Sequence, residues 1–449
     1  QTLNIRGERS VTCKGDFDRH PSEGPLPPGA PPVCEMFRQM PDALERAAEL
    51  DAEYGANPDL EALPMYGVVF SFKDPFDTKD MRSTGGADAA YDIDFPARDH
   101  TLVEQLRKKG AIIFAKAVLT EYNGRAGDPG GVYKPEKVLP STLGYQRSTW
   151  AGNPANPYDT SRAASLGSSS GSGVSVSANL VMASLGEETR ASTRGPANHN
   201  SVALILPHKA MISFHGNAIG ADIQCDRTGI LCRRVEDSAK VLDALKNSED
   251  GYYDPRDPWT AVPRSSVLDG YTKHISDGGT GSLSGMRIGV IRESMIAVPG
   301  SKSEGPITSA AATELKMVLA EKLGATLVES RHDLWDPDPD CEQMTVDFRT
   351  ALCRMVGIFM PNLMFRLTSD GKPLYPEFAA AIEPTAFAPN KIFGSGDMTP
   401  MEYFVGLAEG QIEPPAALDI RSIQPQALAH TFQFHIAQYL MRRSTDWAA

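Results

Sequence analysis

An α/β fold is the class this sequence predicts, and three observations lead there. Residues 66–116 hold a strand signal, an amphipathic helix and a second strand signal in succession, the spacing of an α/β core. The strand-then-helix pattern restarts at 286–324. The 449 residues show no internal repeat, and 41% are apolar, enough for a large core, so the reading is one interleaved domain.

Taken in order, residues 1–35 are an irregular N-terminal segment around "PSEGPLPPGAPP", and 36–449 form the domain. Apolar spacing from Met36 to about Gly55 predicts a helix. "YGVVFSFK" (66–73) predicts a strand. "TLVEQLRKKG" (101–110) is an amphipathic helix with basic residues in its last turn and Gly110 as its stop, feeding the buried strand "AIIFAK" (111–116). Composition then shifts to Gly, Ser, Pro and Asn through residue 172, which predicts loop. "GVSVSANLVMASLG" (173–186) reads as a tightly packed helix of small residues, and "VEDSAKVLDALKN" (235–247) as a helix with an acidic start. After a loop-rich stretch, "MRIGVI" (286–291) is a strand and residues 309–324 a helix ending at Gly324.

Charge and composition exclude several functions. A net charge of −13 argues against a phosphate-reading surface, so no nucleic-acid partner is expected. No apolar run approaches the roughly 20 residues that span a bilayer, so no membrane span is expected. The nine histidines include no H-E-x-x-H pair and the six cysteines no C-x-x-C, so no metal or organic cofactor is expected. The chain opens at Gln1 without a basic-then-apolar leader, so a targeting segment is either absent or removed. An even cysteine count leaves two readings open: disulfides, with Cys13 and Cys34 flanking a Pro- and Gly-rich loop that a bridge would tie down, or unpaired thiols. Localisation is accordingly open between cytoplasmic and exported.

Three segments carry the chemistry. Lys73 ends an apolar strand and is followed at once by Asp74; a lysine buried there loses proton affinity and can act as a base. "GSSSGS" (167–172) runs directly into a helix. It lacks a P-loop pattern, and although it fits G-x-S-x-G around Ser169, the preceding residues read as loop rather than strand; that reading would also need His430 or His435 as partner. "GEETRASTRGPA" (186–197) places Ser192 in a turn-rich stretch. The adjacent Glu187 and Glu188 are poorly placed to flank one bond as glycosidase carboxylates. His199 and Asn200 read as a structural turn. "DGYYDPRDPW" (250–259) reads as an ordered surface loop or a wall of the substrate cleft.

In this order the segments resemble the amidase signature family, whose motifs are a "V-x-x-K-D" strand end, "G-G-S-S-[SG]-G-S" and "G-[ST]-[DE]-T-G-G-S-x-R-x-P-A". Here they read Lys73–Asp74, Leu166 to Ser172, and Gly186 to Ala197, with 95 residues from Lys73 to Ser168 and 24 from Ser168 to Ser192. "TLVEQLRKKGAIIFAKAVLTEY" (101–122), "DRTGILCRRVEDSAKVLDAL" (226–245) and "LSGMRIGVI" (283–291) also match, so the resemblance covers about residues 36–295. It implies a single α/β/α sandwich domain with a mixed central sheet, motif-bearing over 60–245 and with its second half at 285–449. It implies an amide hydrolase working through a Ser–Ser–Lys relay and an acyl-enzyme: Ser192 the nucleophile, Ser168 on a cis peptide the proton carrier, Lys73 the base. Ser169 would hold Lys73, with Asp74 in support. Glu188 would order a loop whose backbone N–H groups at Thr189, Arg190, Ala191 and Ser192 stabilise the oxyanion. The partner implied is a small-molecule amide.

The chain departs from the pattern where Arg190 and Ala191 replace paired glycines and Leu166 replaces the first glycine of the serine segment. Lys73, Ser168 and Ser192 are intact, so activity is expected. Alternatives are the same relay on an ester or carbamate, a component of an amidotransferase that works on aminoacyl-tRNA, which the acidic balance weighs against, and an inactive relative that only binds.

Overall fold

A computed structural model describes residues 1–88, 92–123, 148–152, 154–163, 167–189, 191–217, 226–246, 253–261, 265, 267–275, 281–290, 304–329, 348–384, 394–418 and 436–443. The chain divides into two compact units, Gln1–Ile275 with Thr431–Ala449, and Ser276–His430.

The first unit is built on a six-stranded mixed sheet. In chain order its elements are β1 (Thr2–Leu3), α1 (Val33–Phe37), α2 (Ala43–Tyr54), β2 (Val69–Lys73), α3 (Thr101–Lys108), β3 (Ile112–Ala117), a small hairpin of β4 (Ala155–Asn156) and β5 (Asp159–Ala163), α4 (Ser170–Ser177), β6 (Ala183–Glu188), α5 (Arg194–His199), β7 (Ala203–Ile205), β8 (Arg227–Cys232) and α6 (Val235–Leu245). The sheet runs β1-β3-β2-β6-β8-β7; β3, β2 and β6 are mutually parallel, while β1, β8 and β7 each pair antiparallel with their neighbours.

Strand alternation decides what lies on each face. From β2, Phe70 and Phe72 enter a core with Leu102, Val103 and Leu106 of α3 and Val241, Leu242 and Leu245 of α6. Ser71 points the other way, where its hydroxyl meets Ser175 of α4 at 2.9 Å and Ser184 of β6 at 2.8 Å. Lys73, two residues on, shares that face. There Val176 and Ala197 of α4 and α5 pack with Leu231 of β8. Helices therefore cover the sheet on both sides, and the small residues of α4 let it lie close.

Three elements differ from the sequence reading. The helix expected from Met36 onward is two, because Pro41 interrupts it and Asp42 opens α2 with a capping box, accepting from the Glu45 backbone while Glu45 reaches back. The helix expected over 173–186 ends at Ser177; Asn179 takes a left-handed φ of 60°, and residues 183–188 become β6 between β2 and β8. Its alternation was hidden because small residues suit either element. The irregular N-terminus supplies β1 and is held by a Cys13–Cys34 disulfide and by Arg9, whose guanidinium makes two 2.8 Å bonds to Asp18 with both side chains fully buried. Cys232 and Cys353 are buried; Cys225 and Cys341 lie outside the described residues. The bridge closes a 21-residue separation, and opening it is expected to lower stability by about 3 kcal/mol, read as a lower urea midpoint of Cys13→Ser/Cys34→Ser than of the oxidised protein.

At the far end of the chain, helical residues 436–443 place Tyr439 against Leu119, with its hydroxyl 2.8 Å from an Asp77 carboxylate that burial pushes up to about 6.

The second unit contains a parallel pair, β9 (Arg287–Val290) and β10 (Thr326–Glu329). Between them lies α7 (Glu304–Lys316), which continues as a π-helical turn, Met317–Lys322, before Gly324. The helices α8 (Phe348–Phe359), α9 (Pro361–Met364), α10 (Pro376–Ala381) and α11 (Pro400–Glu409) gather a separate core, in which Phe378 contacts Phe365, Tyr403 and Phe404 with ring centroids 5.1–5.5 Å apart. Among the described residues no helix is long and apolar enough to cross a membrane.

Candidate active site

The C-terminal ends of the parallel strands β2 and β6, the edge where open α/β sheets commonly carry their sites, hold the charged residues of the motifs. Lys73 closes β2 and is completely buried. Its Nζ donates to Ser168 Oγ at 2.8 Å and lies 3.4 Å from both the backbone carbonyl and the carboxylate Oε2 of Glu187 on β6. Burial drives its proton affinity down, opposed by the Glu187 carboxylate and, farther off, by Asp226 and Glu188.

Ser168 stands just before α4 and is also buried. The two serine segments are tied through their backbones, Ser169 N donating to the Ser192 carbonyl at 2.9 Å. They approach so closely that a Cβ added to Gly167 would sit 2.5 Å from Pro196 Cδ and 2.6 Å from the Ala191 carbonyl oxygen. Gly186 of β6 is equally constrained, by Thr193 and by Ser169. Gly167→Ala must therefore displace the Ser192 segment, and a displacement of about 1 Å is expected to lower kcat/KM on any amide substrate by about 100-fold, checked by steady-state kinetics beside the wild type.

Ser192 is half-buried in the turn between β6 and α5. Glu188 shapes that turn: its Oε2 accepts from Thr193 N and Oγ1 at 2.7 Å each and from Arg194 N at 3.0 Å, and its Oε1 accepts from Arg194 Nε. Strand alternation thus sends Glu187 and Glu188 to opposite tasks, one beside Lys73 and one beneath the Ser192 turn. Thr189 is pinned by a 2.6 Å bond from its hydroxyl to Asp226. The backbone N–H groups of Thr189, Ala191 and Ser192 donate to no backbone acceptor among the described residues. Ala191 is exposed, and Arg190 lies outside the described residues.

Several expectations need correction. No cis peptide bond occurs among the described residues, so Ser168 is held on a trans peptide. It reaches Lys73 in that form, with no need for a geometry that costs about 3 kcal/mol. Ser169 does not hold Lys73 directly: its hydroxyl donates to the Glu187 carbonyl at 3.0 Å, the same oxygen that Lys73 faces. Asp74 turns away from the amine; its carboxylate takes Thr84 N and Oγ1, at 2.7 and 3.0 Å to Oδ2, and clamps the turn at 84–86. Among the described residues the hydrogen-bonded chain runs from Lys73 to Ser168 and no bond continues to Ser192 Oγ.

Other candidates settle as structural. Asn200 is buried and donates to the Pro196 carbonyl at 2.8 Å, closing α5. In the aromatic loop, Asp254 accepts from Thr101, Ser213 and Arg256 and fixes the loop to the start of α3. His430 and His435 lie outside the described residues. Among the described residues no three His, Cys, Asp or Glu side chains gather as metal ligands would. Two polar residues beside Lys73 were not assigned there from the sequence: Glu187, weighed only as a glycosidase carboxylate, and Asn123, whose amide donates to Glu187 Oε2 at 2.7 Å. A signal existed for the first, since the motif has Ser or Thr where Glu187 stands. Asn123 belongs to no motif and enters the site because its φ of 57°, tolerated by asparagine, turns it there.

The amidase family model matches residues 33–361. A protein of Arabidopsis thaliana called a probable amidase is 34% identical over 261 residues, covering 58% of this chain and 47% of its own length. A component of the glutamyl-tRNA(Gln) amidotransferase of Cupriavidus necator is 29% identical, covering 60% of this chain and 48% of its own. Among solved structures, native peptide amidase from Stenotrophomonas maltophilia superposes with a TM-score of 0.50 at 31% identity, covering 66% of this chain and 53% of that one. An amidase family protein from Bacillus anthracis gives 0.50 at 26% identity, covering 64% and 50%. The chain spans about half the length of the curated relatives it matches.

Proposed function

The chain belongs to the amidase family, and on that premise we propose that it hydrolyses carboxamide C–N bonds through an acyl-enzyme, with Ser192 as nucleophile, Ser168 as proton carrier and Lys73 as base. The observation that carries this reading is the 2.8 Å contact between Lys73 Nζ and Ser168 Oγ, both on buried side chains, beside a backbone bond that brings in Ser192.

In the proposed mechanism the Ser192 side chain rotates to place its hydroxyl on Ser168. Neutral Lys73 takes the Ser168 proton as Ser168 takes that of Ser192, and Ser192 Oγ bonds to the carbonyl carbon. The oxyanion is received by the N–H groups of Thr189, Ala191 and Ser192, with Arg190 as the fourth donor, each worth roughly 3–4 kcal/mol. Collapse breaks the C–N bond, the Lys73 ammonium returns its proton through Ser168 to the departing amine, and water then cleaves the acyl-enzyme by the same route.

The similarity to peptide amidase supports linear amides, including C-terminal peptide amides, as the substrate class. The net charge of −13 favours such small amides over a tRNA-borne one. An ester or carbamate would pass through the same acyl-enzyme and stands as the alternative.

The test is a fluorophosphonate label followed by a panel of short-chain amides, aryl amides, C-terminal peptide amides and carbamates, with Ser192→Ala as the blank. Labelling at Ser192 and hydrolysis of at least one amide are expected. An unlabelled Ser192 in folded protein would defeat the reading.

A further inference from the structure

Among the described residues Glu187 is the one charged group that touches Lys73, and the proposed mechanism has no use for it. Its carboxylate is 1% exposed, Oε2 shared between Lys73 Nζ at 3.4 Å and Asn123 Nδ2 at 2.7 Å, while Oε1 has no hydrogen-bond partner among the described residues. A buried carboxylate with one oxygen unsatisfied is destabilising, and a neutral side chain would fill the place with a smaller penalty. The amidase motif does have Ser or Thr at this position.

We propose that Glu187 is a positioning residue acting through charge: it holds protons on Lys73 and so sets the pH above which the amine becomes available as a base. This rests on the Lys73 relay proposed above. The surroundings leave that task to Glu187. The neighbours of Lys73 from α4, Ser168 and Ser169, are neutral; from β6 Glu188 is engaged by Thr193 and Arg194; Asp226, ahead of β8, accepts from Thr189. Glu188 and Asp226 favour the Lys73 ammonium too, but less than Glu187 does. Burial pushes the Glu187 carboxyl up as it pushes the Lys73 amine down, and the charge of each opposes the shift of the other. With the Ser or Thr of the motif, Lys73 would feel burial without this anion and shed its proton at lower pH.

The experiment follows the Lys73 Nζ resonance through a pH titration in protein labelled with lysine side-chain nitrogen, assigned by its loss in Lys73→Arg. Wild type is compared with Glu187→Gln and Glu187→Thr, the second introducing a residue the motif uses at this position. The midpoint is expected to fall by about 1–3 pH units in both variants. The acid limb of kcat/KM should move with it, which loss of packing alone would not produce. An unchanged midpoint in a folded variant overturns the proposal, whatever the activity. A lowered midpoint with an unmoved acid limb upholds the assignment of Glu187 and overturns Lys73 as the base.

Discussion

Ser192→Ala is expected to remove amide turnover almost entirely, by about 10⁶-fold in kcat, because no acyl-enzyme forms without its nucleophile. Lys73→Ala should cost less, about 10²–10⁴-fold, and in a distinctive way. On the proposed relay the active form carries a neutral Lys73 amine, whose proton affinity burial lowers, so the wild-type rate is expected to climb with pH only until Lys73 has lost its proton and then to level. Without the amine the remaining base is hydroxide, and the rate should rise about tenfold per pH unit across the whole range. The two variants are separated by steady-state kinetics at several pH values, with circular dichroism to show that each still folds. Residual activity in Ser192→Ala near the wild-type level would assign the chemistry elsewhere, and a plateau retained in Lys73→Ala would remove Lys73 as the base.

The sequence was readable where one physical signal dominated. β2, α3 and β3 follow from an apolar run, an amphipathic repeat and a second apolar run, and each lies within a few residues of its expected place. The position of Lys73 at a buried strand end was legible for the same reason. Residues 173–188 were not, because Ser, Gly, Ala and Val tolerate a packed helix and a buried strand alike; what decides is Asn179 ending α4 and the vacancy between β2 and β8 that β6 fills. The N-terminal segment reads as irregular because nothing local orders it. Its order comes from contacts far apart in sequence, Thr2–Leu3 against β3 and Cys13 against Cys34.

In the site, spacing located the two serines but could not say how they are held. Ser169 bonding to the Glu187 carbonyl instead of Lys73, and Asp74 bonding to Thr84, depend on which way each side chain turns. The same holds for Glu188 and Glu187, adjacent in sequence and opposite in use: a pattern of residues shows that both are acidic, and only the pleat of β6 separates their roles.

That separation makes Glu188 the other position where one substitution should have a large effect. Its carboxylate is fully buried, and burial alone would raise its proton affinity; the bonds from the Thr193 hydroxyl and backbone, then from Arg194, outweigh burial and hold it below the ordinary value of 4.5. Arg194 is more than half exposed, so its ion pair adds little and the Thr193 and Arg194 N–H groups with the Thr193 hydroxyl carry the effect. In Glu188→Gln the amide presents a donor toward those donors and satisfies fewer of them, with an expected loss of about 3 kcal/mol at neutral pH. The sign of the pH dependence follows from the lowered affinity. The carboxylate's contribution is complete above its unfolded value near 4.5 and is lost as pH falls through the lower folded value, so wild type and variant should converge in stability as the pH is taken down through that range. Urea unfolding at pH 7, 5 and 3.5 reads this directly, and a gap that stays constant across the three would mean that the charge of Glu188 is not what holds the turn. Because the turn carries Ser192 and the N–H groups to which the proposed mechanism gives the oxyanion, its loosening should also lower kcat/KM by about 100-fold at pH 7, where the variant is still folded.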